Sequence, residues 1–186
     1  MTTLMKICDG LKNLFDIESD QRTSKMFLMS SPLPVLLISL TYLINVQILF
    51  PRYMENRKAF DIKQSLRFYN LWHLSINIIF FYLSCSLGWL STYSWRCEPV
   101  NRSSEGIGFT IAKVSWWFLM FKFTDFLETL ILVCGKRYEL ITKYHVIHHF
   151  LLPNMIWGAV KFVPGGHATF FAFINTFVHS ITYGYL

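Results

Sequence analysis

Apolar residues along the chain gather into long, charge-poor runs separated by short polar and basic stretches. The runs fall at Pro32–Phe50, Phe68–Leu90, Ile107–Cys134, Tyr144–Val160 and Ala168–Leu186. A helix rises about 1.5 Å per residue, so about 20 apolar residues cross the hydrocarbon core of a bilayer. The first three runs meet that length outright. The third is interrupted by Lys113, Lys122, Asp125 and Glu128, the fourth is short and holds three histidines, and the fifth is weakly polar. The pattern predicts an all-α, polytopic membrane helical bundle with five spans. A 1–31 arm precedes a transmembrane domain over 32–186. The competing reading, core helices of a soluble protein, needs more polar surface than 186 residues can wrap around five such helices.

Composition agrees. Hydrophobic residues make up 53% of the chain and charged ones only 15%, against about 25% charged in soluble domains. That excludes intrinsic disorder, which needs low hydrophobicity, and leaves no charged surface for a coiled coil. The net charge of +6 reads mostly as topology. Arg52, Arg57, Lys58, Lys63 and Arg67 follow the first run, and Lys136, Arg137 and Lys143 follow the third. The opposite loops hold Arg96, Arg102 and Lys161. By the excess of basic residues, the first set of loops is cytosolic and the second lumenal. The 1–31 arm is then lumenal. Its Lys6, Lys12, Arg22 and Lys25 are matched by Asp9, Asp16, Glu18 and Asp20, and it shows no cleavable signal pattern. No nucleic-acid motif accompanies the positive charge.

Cys8, Cys85, Cys97 and Cys134 form no CxxC pair. Cys97 falls in the lumenal loop, where a disulfide half and a free thiol are both open readings. Asn101-Arg102-Ser103 is an N-glycosylation triplet on the same side. Pro164-Gly165-Gly166 is a turn signal between the fourth and fifth runs.

Ionisable residues inside spans are costly and therefore point to function. His145, His148 and His149 stand at i, i+3 and i+4, one stripe of a helix. Three imidazoles on a stripe can bind a metal, or can supply a nucleophile and a base for acyl transfer. A di-iron oxidase needs further histidine boxes, and His73, His167 and His179 form none. Lys122, Asp125, Glu128 and Thr129 share a second stripe, open to catalysis or to a structural ion pair. Asn175, His179 and Tyr183, with Tyr185 beside them, form a third. His73 reads as a single structural histidine, and Trp116-Trp117-Phe118 as packing or interface anchoring.

From about Phe27 to the end, these motifs in this order resemble the ELO family, the elongases of very long chain fatty acids. Pro32-Leu-Pro34 with Tyr42-Leu43 resembles the family's first span. Pro51, Met54, Asn56 and Arg57 resemble the segment after it, and Tyr69-Asn70 the start of the second span. Trp95-Arg-Cys-Glu-Pro-Val100 resembles the family's lumenal loop. Lys122, Asp125, Glu128 and Thr129 fall on KxxExxDT with the two acids exchanged in type. His145, His148 and His149 form the HxxHH box. Asn175, His179, Tyr183 and Tyr185 fit NxxxHxxMYxY with Thr182 in place of Met.

The resemblance implies seven spans, of which five are present here, so it marks the chain as truncated. It implies residence in the endoplasmic reticulum membrane and association with copies of itself or with other enzymes of the elongation cycle. It implies condensation of a long-chain acyl-CoA with malonyl-CoA to a 3-ketoacyl-CoA, with no metal and no cofactor beyond the two substrates. His148 would carry the acyl group, His179 would polarise a carbonyl, and His145 and His149 would orient the pair. Asn175, Tyr183 and Tyr185 would contact substrate, and Lys122 would meet the CoA end or pair with Asp125, beside Glu128. Two other readings remain open at this point: a non-catalytic homologue acting as a membrane interaction partner, and a di-iron desaturase or hydroxylase.

Overall fold

In the computed structural model of the protein, residue 10 and residues 18–185 are described, and among them every regular element is helical. Cys8, Lys6, Asp9, Lys12 and Asp16 lie outside the described residues. After a short turn of helix α1 (Gln21–Ser24) come α2 (Leu33–Glu55), α3 (Lys63–Trp89), α4 (Gly106–Lys122), α5 (Asp125–Cys134), α6 (Lys143–Phe162) and α7 (Phe170–Tyr185). α2 and α3 are each long and apolar enough to cross a membrane. Large apolar side chains face outward along most of the bundle, including Leu37, Ile44, Leu71, Ile79, Trp117, Met155 and Ile181. That surface suits hydrocarbon as its solvent. α3 packs along α7, while α6 packs against both α2 and α4.

The third apolar run is not one helix. It breaks at Phe123–Thr124, where Thr124 donates both its amide and its hydroxyl hydrogen to the Phe121 carbonyl. The Leu127 amide then bonds Thr124 rather than Phe123, which tightens the turn and lets α5 start afresh at Asp125. Pro51, just past the end of the first apolar run, does not end the helix. A widened turn over Asn45–Leu49 precedes it, the Phe50 amide closes on the Asn45 carbonyl, and α2 continues to Glu55. Such a turn accommodates a proline that has no N–H to give. Two basic residues counted as loop charge stand at helix starts, Lys63 in α3 and Lys143 in α6.

The segment before α2 is belted onto the far ends of α4 and α6. Three successive carbonyls take side-chain donors from the bundle: Phe27 from Trp116 Nε1 (2.9 Å), Leu28 from Trp157 Nε1 (2.8 Å) and Met29 from Lys161 Nζ (2.8 Å). Lys161 is thus a buried tether and not the lumenal loop charge that the sequence suggested. Met29 is fully buried among Val35, Phe118, Leu152 and Trp157. Asp20 caps α1, and its amide bonds the Lys161 carbonyl. Arg22 holds both Asp20 carboxylate oxygens (2.8 and 2.7 Å) and reaches the carbonyls of Asn101 and Gly108 across the loop before α4. Burial works to raise the Asp20 carboxyl, but its hydrogen bonds to Arg22 and the charges of Arg22 and Arg102 outweigh it and hold the group below its ordinary value. Cys97 is exposed and unbridged in this arrangement, and Asn101 Oδ1 accepts from the Ser103 amide (2.9 Å).

Candidate active site

The histidine stripe begins one turn into α6. Thr142 caps this helix, its hydroxyl accepting from the His145 amide (3.1 Å). The cap fixes the register that turns His145, His148 and His149 the same way. Pro153 stands four residues after His149, so no amide answers the His149 carbonyl in the usual helical pattern. One position on, Asn154 Nδ2 answers the Phe150 carbonyl (2.7 Å) and ties α6 to Ser39 of α2 (2.9 Å).

Opposite the stripe, α7 presents Asn175, His179 and Tyr183. These six residues, with Glu128 of α5, line one cleft of about 560 Å³ that also reaches Thr142 and Tyr144 at the end predicted cytosolic. His145 and His149 lie 4.3 Å apart and His148 and His149 5.5 Å between ring centroids. Tyr144 stacks on His148 at 5.8 Å, and His179 stacks on Tyr183 at 5.6 Å. Phe171 walls both this cleft and an apolar cavity of about 240 Å³ towards the other end, lined by Phe118, Leu152, Met155, Ile156, Val160 and Ala172. A cleft carrying several polar side chains therefore adjoins an apolar cavity of the kind that takes a hydrocarbon chain.

Behind the cleft lies a buried charged cluster. Lys122 and Asp125 are 1% and 2% exposed, and Lys122 Nζ donates to Asp125 Oδ2 at 3.3 Å. Lys122 faces the rings of Phe118 and Phe121 at 5.1 and 5.5 Å. Of the two roles expected for Lys122, this geometry matches the partner of Asp125. His149 Nδ1 stands 3.9 Å from Asp125 Oδ2. Glu128 accepts from the Tyr183 hydroxyl (3.1 Å), and Thr129 bridges the Tyr42 hydroxyl (3.1 Å) and His145 Nε2 (2.8 Å). Tyr185 does not join this group: it is 92% exposed on the outer face of α7.

The sequence reads His73 as a lone structural histidine, and Tyr42 and Tyr69 enter it only through the family resemblance, not as site residues. His73 of α3 is fully buried, stacked on Tyr69 at 4.0 Å, with Nδ1 3.7 Å from Asp125 Oδ1. The signal was available, since an ionisable residue in mid-span is a site candidate even when it stands alone on its helix. Among the described residues no group of three or more His, Cys, Asp or Glu is arranged to hold a metal ion.

Residues 27–186 match the model of the GNS1/SUR4 family, known as ELO. The chain belongs to the ELO family. It is 46% identical over 185 residues to very long chain fatty acid elongase 7 of Drosophila melanogaster, covering 100% of this chain and 56% of that one. Against very long chain fatty acid elongase 1 of Homo sapiens it is 40% identical over 167 residues, covering 90% of this chain and 60% of the other. The chain thus spans little more than half the length of the curated relatives it matches. The family motifs converge: the HxxHH histidines and the α7 residues Asn175, His179 and Tyr183 line the ELO chain's cleft, and Lys122 and Asp125 stand directly behind it.

Proposed function

We propose that this chain carries the condensing centre of fatty acid elongation in the endoplasmic reticulum membrane. It joins a long-chain acyl-CoA and malonyl-CoA to a 3-ketoacyl-CoA with release of CO2 and CoA. The observation that carries this reading is the cleft in which His148 and His149 of α6 face His179 of α7, with an apolar cavity adjoining it.

Imidazoles and hydroxyls line the cleft and none of Cys85, Cys97 and Cys134 does, which makes an imidazole the strongest nucleophile there. His148 attacks the thioester carbonyl, the C–S bond breaks, and CoA leaves as a thiolate that takes up one proton. The acyl group stays on the imidazole. Malonyl-CoA then loses CO2, and the electron pair of the broken C–C bond becomes an enolate that attacks the acyl carbon. Expulsion of the imidazole releases the 3-ketoacyl-CoA. His179 polarises the carbonyl at the reacting centre, His145 and His149 orient His148, and Asn175 and Tyr183 hold substrate oxygens. CoA approaches from the cytosolic side, where the basic loops meet its phosphates, and the acyl tail extends towards Phe118 and Ile156.

The test is malonyl-dependent formation of 3-ketoacyl-CoA by the full-length protein in detergent, with His148→Ala and His179→Ala beside the wild type. The proposal expects product from the wild type and loss of at least about a hundredfold in each variant. A wild type that binds acyl-CoA but forms no carbon–carbon bond refutes it.

A further inference from the structure

His73 has two ring nitrogens and two partners, and the partners fix its protons. The Thr124 hydroxyl gives its hydrogen to the Phe121 carbonyl, so towards His73 Nε2, 3.3 Å away, its oxygen can only accept. Nε2 therefore carries hydrogen. Nδ1 faces Asp125 Oδ1 at 3.7 Å, and neither atom has any other hydrogen-bond partner. A bare ring nitrogen and a bare carboxylate oxygen repel at that distance. One added proton turns that repulsion into attraction, and the pair then has to close by only a few tenths of an ångström to make a hydrogen bond.

The charge of the cluster asks for the same proton. Lys122 and Asp125 cancel, and Glu128, half-buried at the cleft wall, adds one negative charge beside them. A proton shared by His73 and Asp125 offsets that charge. The aromatic surroundings leave His73 little freedom to turn away: Tyr69 stacks at 4.0 Å, with Phe121 at 4.8 Å, Trp72 at 5.0 Å and Tyr183 at 5.1 Å.

We propose that His73 and Asp125 share one buried proton, and that His73 is thereby a positioning residue for the histidine box. With Oδ1 engaged by His73, Asp125 presents Oδ2 to His149 Nδ1, 3.9 Å away. His149 then carries its hydrogen on Nδ1, and its Nε2 lone pair is left for the cleft, on the helix that also presents His148. This is the role of a carboxylate that sets the tautomer of a histidine beside a reacting centre.

The inference rests on the condensation chemistry proposed above, and two variants and two readouts separate their fates. His73→Gln keeps an N–H donor for Asp125, whereas His73→Phe fills the aromatic cage without one. In the full-length protein, His73→Phe lowers kcat by about tenfold or more, the cost of an orphaned buried polar group, with KM for acyl-CoA little changed. His73→Gln recovers most of that loss. The reverse order, with Phe active and Gln not, makes His73 a packing residue and overturns the proposal. The second readout is independent of turnover: 15N spectra of histidine-labelled protein place the His149 hydrogen on Nδ1 in the wild type and redistribute it in His73→Phe. An unchanged His149 tautomer overturns the proposal even if the wild type shows no condensation. A wild type without condensation whose His149 tautomer does respond to His73→Phe overturns the functional reading alone.

Discussion

The clasp between Arg22 and Asp20 separates a buried ion pair from an exposed one within the same few residues. Arg22 and Asp20 are 5% and 3% exposed and meet at 2.7 Å. Arg102 reaches the same Asp20 oxygen at 3.5 Å but is 59% exposed. Replacing Arg22 by Met keeps the apolar stem and removes the guanidinium, leaving the buried Asp20 carboxylate with only the residue-22 amide and the exposed Arg102, and the carbonyls of Asn101 and Gly108 without that donor. Breaking a buried pair from one side costs about 3–5 kcal/mol, whereas an exposed pair is worth about 0–1 kcal/mol. At about 2–4 °C per kcal/mol for a chain of this size, Arg22→Met lowers the unfolding midpoint in detergent by roughly 10 °C. Arg102→Ala lowers it by about 4 °C or less. Acid probes the same pair through its carboxylate. The folded carboxyl of Asp20 is held below its ordinary value, so the clasp's contribution is fully present above about pH 4 and is lost as pH falls through the folded value. The gap between wild type and Arg22→Met is therefore constant from about pH 5 to 8 and narrows below about pH 4. Equal, small shifts for the two arginine variants would refute the assignment of the clasp as a buried pair.

Other consequences follow from the same geometry. Lys122→Met strands Asp125 and destabilises the fold by about 3–5 kcal/mol, while Lys122→Met with Asp125→Leu recovers most of that loss in a thermal unfolding comparison. If the double variant is as unstable as the sum of the singles, the two side chains are not a pair. Gly166 has φ +54, and a Cβ there would stand 2.6 Å from the Glu98 carbonyl oxygen and 2.8 Å from Pro99 backbone. Gly166→Ala thus costs about 2 kcal/mol or more, seen as a fall in melting temperature and as faster proteolysis of the loop between α3 and α4. An unshifted melting temperature for Gly166→Ala would mean that this turn tolerates an added methyl.

What the sequence disclosed, and what it hid, follows from whether partners are near in the chain. His145, His148 and His149 are legible because helical periodicity alone puts them on one stripe. The same holds for Asn175, His179 and Tyr183, four apart on α7. The break at Phe123–Thr124 was hidden, because a threonine hydroxyl bonding a nearby carbonyl is a local choice that an apolar run does not advertise. His73 reads as a lone histidine because its neighbours, Thr124 and Asp125, arrive from another part of the chain. Lys161 was counted as loop charge because charge counting presumes where helices end, and α6 runs past it to Phe162. Tyr185 was placed with Tyr183 by motif, but two helical positions apart is the far side of a helix, and it faces out.

In the proposed mechanism His148 accepts the acyl group before the carbon–carbon bond forms. Full-length protein incubated with a long-chain acyl-CoA and no malonyl-CoA, then digested and mapped by mass spectrometry, tests it directly. That mechanism predicts one acyl group per chain on the peptide bearing His148, discharged by added malonyl-CoA and absent in His148→Ala. An adduct that persists in His148→Ala, or condensation that proceeds with no adduct formed, would contradict it.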